Sequence, residues 1–259
     1  MNRLNPSENE YCVCLTACID PSGGLIKLQR HDPAVRLNDY LKAMRFWLNL
    51  PDERLNKIVF VENSGYPLDE LSDICKTQNP FGKKVELISS STNSYPEGVH
   101  YGYAELHSIE QAFDRSQLLK SSTYFIKATG RLRFPNISQL LDLLPDEYLF
   151  SVDCRARSRY GKSDPFATTQ LMVFSTSFYR QHLLHSKSEL SNELGLIEIL
   201  IYEKLIAFKD QQGAILRWKV NVDPVGYAGE WQKKYHSPKQ RLINSARFIC
   251  RHAFPDWWI

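Results

Sequence analysis

The sequence predicts an α/β fold built on a mixed, mostly parallel central sheet with helices on both faces. Two observations carry that prediction. Short apolar runs alternate with segments of helical period through residues 11–145, the pattern of strand–helix–strand units. Turn-forming clusters such as "DPSGG" and "ENSG" close the runs, where strands end and loops begin.

The elements follow in order. "YCVCLTACI" (11–19) reads as a first strand, stopped by "DPSGG". Residues 33–50 place Val35, Leu37, Leu41, Met44, Trp47 and Leu48 at mostly helical spacing, which predicts an amphipathic helix. "KIVFVENSG" (57–65) is a second strand ending in a polar turn, 67–77 a short helix, and "KKVELISS" (83–90) a third strand. A loop, "STNSYPEGVHYG", leads into a helix over 103–120. "YFIKATGRLRFPN" (124–136) is a fourth strand whose end turns basic, and "ISQLLDLL" a helix after it. The second half is less regular. A strand over 147–161 runs into a basic loop, 167–185 holds a strand and then a helix, 192–210 a helix, and "ILRWKVNVDPVGY" a last strand before a basic tail. Neither a repeat nor a linker interrupts 1–259, so a single domain is expected.

Composition bounds the function. With 43% hydrophobic and 24% charged residues and a net charge of +3, the chain reads as a globular protein whose charge does not by itself point to nucleic acid. The absence of a long apolar stretch and of a signal-type N-terminus predicts a cytoplasmic protein. Six cysteines lack the paired spacing of a zinc site. Cys12 and Cys14 read as small apolar residues on a buried strand.

In parallel sheets ligands sit at the carboxyl ends of the strands, which gathers Thr16, Glu62, Asn63 and the stretch from Lys127 to Arg131 on one rim. Each has a plain alternative. Glu62 and Asn63 read a base or a ribose hydroxyl, or they close a turn. Lys127 and Arg131 hold an anion, or they are solvated cations of a surface loop. Glu198 lies beside the apolar face of its helix, either as a general base raised by burial or as a rim charge. Thr168, Thr169 and Gln170 form a polar patch before a strand, and a hydroxyl pair capping backbone groups explains them equally well.

The order of these pieces resembles the type A fold nucleotide-sugar glycosyltransferases, especially the family 2 class. The turn "VFVENSG", the loop and helix "GVHYGYAELHSIEQAF" and the strand end "YFIKATGRLRFPNISQLLDLL" match that outline in place. "EILIYEKL" matches the helix that opens on the family's catalytic acid, with Lys204 one place early. The likeness covers roughly residues 11–210, and the "ENSG" turn with "K-x-TGR" is similar to enzymes of bacterial surface-polysaccharide gene clusters.

The resemblance implies a nucleotide-sugar half over 11–145, an acceptor half over 146–230, and a basic aromatic tail over 231–259. It implies Glu198 as catalytic base, with Glu193 as fallback. Thr16, Glu62, Asn63, Tyr101, Tyr103, Lys127 and Arg131 become donor ligands, and Thr168, Thr169 and Gln170 acceptor ligands. Its partners would be a nucleotide-sugar donor and a glycan or lipid-linked glycan acceptor.

One departure bears on cofactors. Where the family keeps an aspartate pair for a divalent ion, this chain has Thr129-Gly130-Arg131. No metal is therefore expected, Arg131 and Lys127 replacing it at the diphosphate. The alternative is Mg or Mn held through Asp153. Two other functions stay open. A nucleotidyltransferase would want a Gly-rich basic loop after the first strand, to which "DPSGGLIKLQR" is a loose match. The stretch from Trp231 to Pro255, with six Lys or Arg and no acid, fits a nucleic-acid patch, and "QRLINSARFICRHAFPDWWI" (240–259) reads as a basic amphipathic contact with an anionic membrane surface or as aromatics packed on the domain as core.

Overall fold

The computed structural model of the chain describes residues 10–23, 28–159, 162–190, 196–229 and 234–253, with backbone only at 157–159 and 162–164. Its central sheet has seven strands in the order β3-β2-β1-β4-β8-β5-β9. These are β1 (Tyr11–Ala17), β2 (Lys57–Glu62), β3 (Lys84–Ser89), β4 (Tyr124–Thr129), β5 (Phe150–Ser151), β8 (Leu171–Ser175) and β9 (Ala214–Ile215). All neighbours pair parallel except β8, which runs antiparallel to both β4 and β5. The expected mixed, mostly parallel sheet is the observed one.

Alternation along the strands divides the core in two. Val13 and Leu15 of β1 join one hydrophobic cluster, while Cys12 and Cys14 join the other. The first cluster is covered by α1 (Pro33–Leu48), α2 (Asp69–Thr77) and α5 (Ile137–Leu141). The second is covered by α3 (Gly102–Arg115), α4 (Gln117–Lys120), α6 (Thr176–His182) and α7 (Ile197–Ile206). Cys12 and Cys14 are fully buried free thiols, and burial pushes the Cys14 thiol up to about 12. They serve as small core residues.

Local chemistry sets the boundaries. Asp32 caps α1, its side chain accepting from the Ala34 N–H at 2.9 Å, with Pro33 in the first turn. The expected helix over 103–120 is divided, because Ser116 takes an extended backbone and caps α4 through the Leu119 N–H at 2.9 Å. The expected strand and basic loop over 147–161 are a short β5 and then a hairpin of β6 (Cys154–Arg159) with β7 (Lys162–Ala167). The expected last strand keeps only Ala214–Ile215. Beyond it the chain leaves the sheet edge and crosses β4's exit, bridging Arg133 to Val225 and Tyr227 to Lys234. Among the described residues no helix is long and apolar enough to cross a membrane.

The turn after β2 depends on one buried carboxylate. Glu62 is fully buried and accepts from the N–H groups of Ile19 at 2.9 Å and of Ser64 and Tyr66 at 3.0 Å, and from the Ser64 hydroxyl. It thereby ties the loop after β1 to the loop after β2. Replacing Glu62 by Ala strands those backbone donors, so Glu62→Ala is expected to destabilise the protein by roughly 3 kcal/mol or more in urea unfolding, each buried unpaired group costing about 1–3 kcal/mol.

Candidate active site

The cleft opens where the carboxyl ends of β1 and β4 meet, at Thr16 paired in register with Thr129. It encloses about 280 Å³. The antiparallel course of β8 brings the start of that strand to the same rim, since the Gln170 carbonyl accepts from the Thr129 N–H at 2.9 Å. Thr169 and Gln170 are thus carried beside Thr16.

Two glycines make the assembly possible. A Cβ on Gly130 would stand 2.8 Å from the Thr16 carbonyl oxygen, so only glycine lets the two strand ends close on each other. That close approach is between β4 and β1. On Gly102 a Cβ would meet the Ile197 Cβ at 2.6 Å. The first turns of α3 and α7 therefore abut, and Glu105 and Glu198 enter one electrostatic neighbourhood.

A buried network runs along this floor. The ammonium of Lys127 is fully buried, pairs with the Glu105 carboxylate, and donates to the Thr169 carbonyl at 2.5 Å. Glu105 also accepts from the Thr16 hydroxyl at 3.2 Å. The Thr169 hydroxyl donates to Glu198 at 3.3 Å. Burial holds the Glu198 carboxyl above the usual glutamate range, the negative charge of Glu105 adds to the shift, and Lys127 opposes it.

The other walls come from α1 and the loops. Arg36 is 2% exposed. Its guanidinium donates to the Cys18 carbonyl at 2.7 and 2.5 Å and to the Arg30 carbonyl at 3.1 Å. One helical turn on, the Tyr40 hydroxyl bonds both the N–H and the carbonyl of Cys18. Arg131 lines the cleft and donates to the Tyr227 carbonyl at 3.2 Å. No carboxylate of the described residues pairs with Arg36 or Arg131. Asn63 is 4% exposed; its amide N–H₂ faces Ser108 Oγ at 3.2 Å and the Ala104 carbonyl at 3.5 Å, while its Oδ1 has no partner among the described residues. A buried acceptor of that kind calls for a partner, which a bound water can supply as well as a ligand.

The structure brings together Thr16, Asn63, Tyr101, Arg131, Thr169, Gln170 and Glu198, all lining the cleft. It does not place Glu62, Tyr103, Lys127 or Thr168 on that lining. Glu62 is spent on its turn. Tyr103 packs edge-on against His107 and beneath Lys187. Lys127 is the counter-ion of Glu105. The Thr168 hydroxyl donates to the Asp153 carbonyl at 2.8 Å. Asp153, the alternative metal ligand, is 1% exposed and is gripped by Arg155 at 2.7 Å and Arg251 at 2.7 Å. Burial alone would raise its carboxyl, but the two guanidiniums outweigh burial and hold it below the usual range. Glu193, the fallback base, lies outside the described residues, as do loop positions 24–27.

Arg36 and Tyr40 enter the site without having been singled out in the sequence. Arg36 and Tyr40 stand four apart on α1, so a helical face that mixes a cation with apolar residues was the available signal.

No family model matches the chain, and no curated protein matches it. Among solved structures the fold is similar to the glycosyltransferase GlyE of Streptococcus pneumoniae, at 15% identity and TM-score 0.47, over 79% of this chain and 44% of that one. It is also similar to core-mannan synthase A of Aspergillus fumigatus, at 9% identity and TM-score 0.46, over 83% of this chain and 73% of that one. A third likeness is to the 4-diphosphocytidyl-2C-methyl-D-erythritol synthase of Anaerococcus prevotii, at 9% identity and TM-score 0.45, covering 93% and 96% of the two chains. At these values the likeness concerns the path of the chain alone.

The Lys127–Glu105 pair yields a direct test. Lys127→Met and Glu105→Gln should each lower stability, and the double variant should lose less than their sum. A double-mutant cycle in denaturant is expected to give a coupling of about 1–3 kcal/mol, the range for residues in one buried network.

Proposed function

We propose that this protein is a glycosyltransferase that moves a sugar from a nucleotide diphosphate donor to an acceptor hydroxyl without a divalent ion. One observation carries the reading: a carboxyl raised by burial shares a cleft with Arg131, whose guanidinium pairs with no carboxylate of the described residues, and with the buried charge of Arg36. A base and a pair of fixed cations are what such a transfer requires.

In the proposed reaction the acceptor oxygen attacks the anomeric carbon of the donor while its proton passes to a carboxylate oxygen of Glu198. The bond from the anomeric carbon to the diphosphate oxygen breaks, and the diphosphate leaves with the electron pair. Arg131 faces the charge that grows on it, its guanidinium offering phosphate oxygens two parallel donors, while Arg36, whose N–H groups are spent on the Cys18 and Arg30 carbonyls, adds only its charge from behind the wall. Asn63 Oδ1 accepts from the base or a ribose hydroxyl. Tyr101 supplies an aromatic wall, and Thr16 keeps Glu105 in place beneath the donor. Thr169 and Gln170 orient the acceptor, Thr169 also holding Glu198 through its hydroxyl. The residues at the end of β4 do not fit a divalent ion, for they are Thr129, Gly130 and Arg131, and Asp153 is taken up by its two arginines. We place the reaction in bacterial polysaccharide synthesis, at the cytoplasmic face, with a glycan or lipid-linked glycan as acceptor.

Release of nucleoside diphosphate from a panel of nucleotide sugars tests the reading. Turnover should survive EDTA. Glu198→Gln should keep donor binding and lose on the order of 10²- to 10⁴-fold in kcat, the contribution of a general base. Turnover of a nucleoside triphosphate with a sugar phosphate, and not of nucleotide sugars, would identify a nucleotidyltransferase instead.

The pH profile follows from the direction of the Glu198 shift. The base acts deprotonated, so kcat/KM should fall as pH drops through its raised pKa, at a higher pH than for an ordinary glutamate. The acid limb should be absent from the residual rate of Glu198→Gln. Arg131→Ala should raise KM for the donor and lower kcat together, with Arg131→Lys restoring only part, because an ammonium lacks the fixed fork. Loss of all activity in EDTA with recovery on adding manganese would overturn the metal-free mechanism.

A further inference from the structure

The helix α8 (Pro238–Ala253) is mounted with its polarity reversed. A helix on a domain surface ordinarily turns its apolar stripe inward and its charges outward. Here the polar side faces the domain. Arg251 makes a two-pronged bond to the buried Asp153 at 2.7 and 3.1 Å, and Asn244, 7% exposed, donates to Asp223 at 2.6 Å. Asn221 donates in turn to the Asn244 carbonyl at 3.2 Å.

The apolar side is left outward. Leu242 is 73% exposed, Ile249 66% and Ile243 40%. Leu242 and Ile249 are two turns apart on one stripe. Beside them stand exposed Lys239 and Arg241, and positions 238–253 contain no Asp or Glu. The ion pair with Asp153 fixes this orientation. Rotating α8 to bury Leu242 and Ile249 would leave the buried Asp153 carboxylate with Arg155 as its one remaining guanidinium and strip Arg251 of its buried partner, and breaking a buried ionic network in this way is costly.

We propose that α8 docks this protein on an anionic lipid surface, lying in the interface with Leu242, Ile243 and Ile249 inserted and Lys239 and Arg241 against the headgroups. Charge complementarity selects that occupant. A second copy would set the same cations against each other, and a nucleic acid would meet aliphatic side chains where it needs a continuous basic track. An acid-free helix with an exposed aliphatic stripe satisfies both needs of an anionic membrane surface, apolar burial and attraction to negative headgroups. Docking is independent of what the cleft catalyses. It would hold the cleft near lipid-carried acceptors, because Tyr235, which lines the cleft, lies just ahead of α8.

Co-sedimentation of the full chain with vesicles tests the proposal. Phosphatidylcholine mixed with phosphatidylglycerol should bind the protein, and phosphatidylcholine alone should bind it less, with the difference fading as salt is raised. Leu242→Glu with Ile249→Glu should cut partition by roughly 100-fold or more while leaving the thermal midpoint unchanged, since both side chains are already exposed. Lys239→Gln with Arg241→Gln should erase most of the preference for anionic vesicles, about fivefold per cation. Equal binding to both vesicles, or undiminished binding of the double Glu variant, overturns the proposal. So does a concentration-dependent dimer abolished by the same variants without any vesicle binding, and so does retention by nucleic acid but not by vesicles.

Discussion

A single buried ammonium organises the floor of this protein. Lys127 lies in the middle of the sheet, where a lone cation would be driven to give up its charge. Glu105 of α3 and the carbonyl of Thr169 keep it satisfied. The pairing does more than neutralise. It ties α3 to β4 and draws in the polar turn ahead of β8, and its far members, Thr16 and Glu198, are both on the cleft wall. The negative charge beside Glu198 that helps raise its carboxyl is the one Lys127 holds in place.

The sheet was legible because its strands are apolar runs closed by turn residues, and a parallel-rich order leaves few places for a ligand. What periodicity could not supply was the direction of side chains at the rim. Lys127 and Arg131 look alike in the string, yet strand alternation sends one into the second core layer, while the other follows Gly130 and stands on the cleft wall. Glu62 was legible as a strand-end acid, but whether its oxygens face a ligand or the chain itself depends on where Ile19 lies, a contact 43 residues away. Val35, expected on the buried face of α1, is 38% exposed. The inward stripe instead accepts Arg36, Asp39 and Tyr40, because backbone carbonyls and Arg30 await them there. An apolar count cannot register a buried polar position whose partner lies far along the chain.

The tail shows the same limit from the opposite side. Its aromatic and basic composition allowed nucleic acid, membrane or core, and which side α8 turns to the domain depends on one carboxylate, Asp153, far earlier in the sequence. Trp231, Phe254, Trp257 and Trp258, which gave the tail much of its amphipathic look, lie outside the described residues. The loop joining α8 to the sheet crosses the exit of β4, where Arg30 stacks on Tyr227 at 4.5 Å and Arg131 bonds the Tyr227 carbonyl. The cleft is therefore walled by chain from both ends of the described sequence.

The separation of 98 positions from Asp153 to Arg251 also has a meaning in time. A ribosome adding about 5–20 residues per second takes roughly 5 to 20 s to make that stretch. Throughout it the nascent chain can already pair β1 with β2 and β4, but the acid at the root of the β6–β7 hairpin has only Arg155 for company. The parallel strands can come together while the hairpin still waits for its last clasp. The β6–β7 hairpin of a growing chain therefore goes without its second guanidinium until residue 251 has been made.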